Sequence, residues 1–362
     1  MAHRNRIAFV AAAALAAALL GGCERLPMDT AQIGYRGTGM EKVTNPRIAA
    51  ANASRHEAPP ALDAADSSGP KASQTYQNVK VLGNLSVGEF TRVMIAMSNW
   101  VAPEQGCVYC HNPANFADDS MQTKVVSRRM LQMTQEINGN WKNHVADTGV
   151  TCYTCHRGNN VPQYKWFADP PAPTAGRMLG NDNGQNKAGK KSVGNSSLPY
   201  DPFTPYLLGK DEIRVMATTA LPVNAQVPLK QAEVTHGLMI HMSEALGVGC
   251  VHCHNSRAFA EWSQSPPTRV QAWHGIRMVR ELNNAFMVPL TPGQPAERLG
   301  RTGDIAKVNC ETCHQGANKP LNGAKMLTAH PELAKPSGPP VKTSEWVAPA
   351  GMTSPLAPAT GR

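Results

Sequence analysis

Apolar residues along the chain form one continuous run and four helical stripes. The run covers 7–20, follows Arg4 and Arg6, and ends in Leu20-Gly21-Gly22-Cys23. It is shorter than the roughly 20 residues that span a bilayer, so 1–22 reads as a lipoprotein signal peptide and Cys23 as the lipid attachment site. The stripes, at 87–99, 124–137, 230–246 and 268–284, recur every three to four residues and predict helices. Three of them carry Met-x-x-Met: Met94 and Met97, Met130 and Met133, Met239 and Met242. Residues three apart share a helix face. Stretches poor in large apolar residues lie at 45–70, between 170 and 210, and from 330 onward, and predict surface wrapping, a linker and a Pro-rich tail.

Composition sharpens this picture. Of 362 residues only 17% are charged and 6% aromatic, while Gly and Pro number 30 and 29. Coiled coil, collagen and a highly charged disordered chain are excluded. Few aromatics and many helix breakers make a poor core unless a bulky group other than side chains fills the interior.

The cysteines identify that group. Eight of nine lie in four Cys-x-x-Cys-His motifs: Cys107, Cys110 and His111; Cys152, Cys155 and His156; Cys250, Cys253 and His254; Cys310, Cys313 and His314. In this pentapeptide the thiols form thioethers with haem vinyl groups and the following imidazole ligates the iron. A thioredoxin-like dithiol needs no fixed His, and zinc would pair the motifs into four-thiolate sites. Four covalently bound haem c are expected. The formal charge of +9 becomes +7 without Arg4 and Arg6, and about −1 with eight propionates. No basic run with interleaved aromatics occurs, so no nucleic-acid partner is expected.

A duplication runs through the chain. A shift of 145 lays 94–98 on 239–243 and 136–138 on 281–283. Sites one and three both continue from His-Asn into Phe-Ala-acid; sites two and four share His-x-Gly-x-Asn-x-Pro. The predicted fold is mainly α with much irregular coil, built from two pseudo-symmetric haem-pair units with one helix before each haem site. The predicted organisation is an anchor and wrapping segment at 23–80, haem pair 1/2 at 81–169, a linker at 170–210, haem pair 3/4 at 211–329 and a tail at 330–362.

The helices offer second axial ligands. On the 145 shift Met133 falls on Met278, whereas Met130 falls on Gly275. If the first Met of each pair ligates, the fourth haem needs a substitute; if the second does, Met278 serves. His144, His241, His252 and His274 are the imidazoles available.

With these motifs the chain resembles the membrane-anchored tetrahaem cytochrome subunit of purple-bacterial photosynthetic reaction centres, from about residue 32 to 321. The resemblance implies Met94, Met130 and Met239 as sixth ligands of the first three haems and His144 as that of the fourth, for which a vacant Gly275 is required. His144 lies eight residues before Cys152, at most about 29 Å when fully extended, so haems two and four abut and the spatial order is 1, 2, 4, 3.

Six-coordinate iron is built for electron transfer rather than small-molecule catalysis. The expected function is relay of electrons from a soluble periplasmic c-type cytochrome or high-potential iron-sulfur protein to the photo-oxidised bacteriochlorophyll pair. The expected location is the periplasmic face of the membrane, on the L and M subunits, with haem three facing them and haem one near the entry. Glu89, Glu104, Asp118 and Asp119 near the first site are candidates to steer a basic carrier, and Arg269 and Arg277 to tune potentials. A multihaem reductase or peroxidase, which needs a five-coordinate iron, and a lipoprotein wire for another membrane complex are the alternatives.

Overall fold

The four apolar stripes are helices in the structure, a computed structural model that describes residues 28–33, 40–168, 201–211, 213 and 229–335. The leader with Cys23, most of the expected linker and the end of the tail lie outside the described residues.

A short antiparallel ribbon comes first, β1 (Asp29–Gln32) against β2 (Glu41–Thr44), with Asp29 opposite Thr44. Helix α1 (Pro46–Ala53) follows, capped by Asn45, whose side chain accepts from the Arg47 and Ile48 amides. Helix α2 (Val87–Val101) opens with a capping box: Ser86 accepts from the Glu89 amide at 3.1 Å and Glu89 accepts from the Ser86 amide at 2.9 Å. Such a cap is worth about 1 kcal/mol. Helices α3 (Gln122–Asn140) and α4 (Leu229–Leu246) match their stripes within a few residues. Helix α5 (Thr268–Glu281) passes into a wider π-helical turn, Leu282–Met287, so the regular helix stops short of the expected 284.

The buried side chains form two clusters. One joins α2 and α3 through Val93, Ala96, Trp100 and Leu131 to Met326 and Leu333; the other joins α4 and α5 through Leu238, Ile276 and Leu282 to Tyr206 and Leu207. Both clusters thus recruit chain that follows the opposite pair of attachment motifs. Phe203, Tyr206 and Leu207, in the stretch expected as linker, are core, with Leu207 fully buried against the α4/α5 side. Packing also continues past 330: His330 stands edge-on to Trp100 with ring centres 4.6 Å apart, and Arg92 forms a buried ion pair with Glu332 at 2.9 Å. Apolar side chains at otherwise sparse positions account for both differences.

The protein is mainly helical with much coil. Among the described residues no helix is long and apolar enough to cross a membrane.

Candidate functional site

Each attachment motif is a single tight turn that brings two thiols and an imidazole together. At sites one and three the turn is 3-10, Gly106–Tyr109 and Cys250–His252, and the His111 and His254 amides each donate to the first cysteine carbonyl at 3.0 Å. At sites two and four it is a short α-turn, Cys152–His156 and Cys310–His314, started by Thr151 or Asn309 and ended by Arg157 or Gln315 at φ 49° and 51°. Gly158 and Gly316 follow at φ 80° and 91°, in the region that favours glycine. Their amides donate to the Trp100 and Ala245 carbonyls at 2.9 and 2.8 Å. The shared His-x-Gly therefore ties the second motif to the end of α2 and the fourth to the end of α4, in each case the helix that precedes the other site of the pair.

Every motif histidine has one ring nitrogen occupied. Nδ1–H donates to a backbone carbonyl: His111 to Phe116 and His254 to Phe259, both at 3.0 Å, His156 to Asn159 at 2.9 Å and His314 to Ala317 at 3.0 Å. A carbonyl only accepts, so the tautomer leaves Nε2 with its lone pair for a metal. Burial lowers the pKa of His156, His254 and His314, the last to about 4. These imidazoles are neutral, as ligands must be.

His144 belongs to the same constellation although it lies outside any motif. Its Nδ1–H donates to the Gln271 carbonyl at 2.9 Å, burial lowers its pKa, and its ring centre lies 6.1 Å from that of His314. Two imidazoles bound through nitrogen to one metal at about 2 Å each would have centres about 6 Å apart. The rivals sit otherwise. His241 is buried edge-on to Phe203, and His274 edge-on to Trp273. Gly275 lies under His144 so closely that a Cβ there would come 2.6 Å from Cε1. Met278, the other option for that helix, is buried in the core. This contrast favours the first Met of each pair.

For the first two sites the donors converge on one largely apolar cavity of about 950 Å³. Its wall includes Cys107, Cys110, His111, Cys152, Cys155 and His156, together with both Met-x-x-Met pairs of α2 and α3. That is the upper end of the size range for ligand sites, roughly 300–1,000 Å³. Cys155 and Cys313 approach to 3.0 Å between sulfurs, so the second and fourth motifs meet. Burial pushes the Cys152 and Cys310 thiols up to about 12, the reverse of what a redox dithiol requires. Among the described residues no group of three or more His, Cys, Asp or Glu could hold a bare metal ion. The residues fit covalently held haem.

Several supports escaped the sequence reading. Asn138 donates to the Val150 carbonyl and accepts from its amide, at 2.9 and 2.7 Å; Asn283 does the same to Val308, at 2.9 and 2.8 Å. Each asparagine thereby holds the extended backbone two residues before a motif. Thr123 and Thr268 each donate to the carbonyl two residues after a motif's first cysteine, at Tyr109 and His252. Both pairs obey the 145 shift, the signal that could have found them. Of the four acidic candidates, Glu89 is engaged in the helix cap, Asp118 bonds Ser120 and Asn112, and Asp119 is paired with Lys124 and Arg128. Glu104 alone of these is exposed with no such engagement among the described contacts.

Paired cysteine thiols, a neutral imidazole beside them and an apolar cavity define a c-type cytochrome. The family model of the photosynthetic reaction centre cytochrome C subunit matches residues 24–334. The chain is 56% identical over 334 residues to the photosynthetic reaction center cytochrome c subunit of Rubrivivax gelatinosus, covering 92% of this chain and 91% of the relative. It is 49% identical to that of Thermochromatium tepidum, covering 99% and 87%, and 39% identical to that of Roseobacter denitrificans, covering 86% and 88%. The chain belongs to the photosynthetic reaction centre cytochrome c subunit family. It binds haem c covalently, associates with the reaction centre and transfers electrons in photosynthesis.

Proposed function

We propose that the chain holds four haem c in the order 1, 2, 4, 3 and carries electrons along them from a soluble periplasmic carrier to the L and M subunits. The observation that carries this reading is the His144–His314 pair, two neutral imidazoles 6.1 Å apart with Nδ1 of each spoken for. It lies beside the Cys155–Cys313 contact, which supports adjacent second and fourth haems.

Each haem, when bound, supplies a one-electron iron couple. The chain's residues close it on both sides. His111, His156, His254 and His314 serve as proximal ligands, and Met94, Met130, Met239 and His144 as distal ones. Thioether ligation favours the reduced state relative to imidazole, so on ligand identity the fourth centre is the lowest in potential. The matched hydrogen bonds of Asn138 and Asn283, of Thr123 and Thr268, and of Gly158 and Gly316 support two pseudo-symmetric units. Phe259, Trp262, Val270 and Trp273 are exposed around the third site and support its facing the membrane subunits. Cys23 carries lipid and tethers the protein at the periplasmic face. Glu104 remains the steering candidate for a basic carrier.

Low-temperature EPR with a stepwise redox titration tests the reading. Four ferric low-spin centres are expected, three with Met/His and one with His/His signatures. A five-coordinate centre, seen also as carbon monoxide binding at neutral pH, would instead support the reductase or peroxidase reading.

A further inference from the structure

Several buried cations among the described residues have a carboxylate partner. Arg92 pairs with Glu332, Lys307 with Asp304 and Lys124 with Asp119. Arg129 on α3 is 2% exposed, and among the described residues no carboxylate pairs with it. Its Nη2 donates to the Ala285 carbonyl, and its guanidinium carbon lies 4.7 Å over the Phe286 ring. Nε and Nη1 are buried without a hydrogen-bond partner. A guanidinium stays protonated in proteins, so this is a fixed positive charge in low dielectric, an expensive arrangement.

Its place suggests what the charge does. The next residue on α3, Met130, lines the cavity shared by the first two motifs, and so does Met287, the residue after Phe286 on the opposite segment. Arg129 itself does not line that cavity. The guanidinium thus stands one residue layer behind the wall that holds Met130.

We infer that Arg129 is a potential-setting residue, whose buried positive charge stabilises the reduced state of the centre that Met130 ligates. This rests on the reading of Met130 as a haem ligand. Electron arrival adds negative charge at the iron, and a nearby buried cation favours that change. A unit charge about 10 Å away at interior screening shifts an electron-sharing equilibrium by roughly tenfold. The neighbouring Met ligand and the charge then act in the same direction, making the second centre a better acceptor from the first.

The test uses redox titration of the intact, membrane-bound complex with Arg129→Lys, Arg129→Gln and Arg129→Met. A Met130→His variant marks which signal belongs to the second centre. Both neutral variants are expected to lower that centre's potential, shifting its electron sharing by about tenfold, while Arg129→Lys keeps it near the original value. Gln retains a donor for the Ala285 carbonyl and serves if the Met variant does not assemble. Unchanged potentials in the neutral variants, or an equal fall with Lys, would overturn the inference. If Met130→His leaves every EPR signal unchanged, the ligand reading itself fails, a result distinguishable from failure of the charge effect.

Discussion

Replacing Gly275 by alanine probes the fourth centre most directly. An added Cβ would lie 2.6 Å from Cε1 of His144, 3.0 Å from Nδ1 and 3.2 Å from Nε2. Carbon atoms in contact prefer about 3.5–4.0 Å, so the ring must retreat by about 1 Å. Retreat breaks the bond from Nδ1–H to the Gln271 carbonyl, worth about 1 kcal/mol. It also draws Nε2 away from a metal bond of about 2 Å, which does not stretch that far. The expected result is loss of one axial ligand at the fourth centre alone. EPR of the oxidised protein should lose its His/His signal and gain a high-spin one, and the reduced protein should bind one carbon monoxide. A double variant, His144→Ala with Gly275→Met, should restore a closed centre with sulfur ligation and a higher potential. If Gly275→Ala kept the His/His signal and bound no carbon monoxide, the assignment of His144 and the reasoning from its distances would be refuted.

Two further outcomes concern the supports. Asn138→Ala removes two bonds to Val150 and one to the Leu333 carbonyl at 2.9 Å, all buried; leaving those backbone groups unpaired should cost about 2–4 kcal/mol, read as a lower thermal midpoint with the ligand spectra retained. His330 is buried against Trp100 and Arg92, and burial, reinforced by the Arg92 charge, lowers its pKa to about 4. The unfolded state therefore binds the extra proton first as pH falls. Stability should decline as pH drops from about 6.5 towards 4, and His330→Gln should flatten that part of a melting-temperature profile; an unchanged slope counts against it.

The division between sequence and structure follows from what is local. Covalent attachment was legible because the two thiols and the imidazole of each motif occupy one turn, and a single turn needs no tertiary information to assemble. The four long helices were legible because their apolar stripes keep a constant period, and the 145-residue shift exposed the paired sites. The choice between Met130-type and Met133-type ligation was open on periodicity, since both residues share a helix face. Only packing put Gly275 beneath His144 and Met278 inside the core, the contrast that favours the first Met. The stretches around 203–208 and from 330 onward looked like linker and tail because their apolar residues are few and unpatterned. Their partners lie across the molecule, so burial of Leu207 and Leu333 was invisible along the chain. Arg129 makes the same point for charge: one arginine among many in the sequence, it becomes distinctive only once the fold denies it water and, among the described residues, a carboxylate.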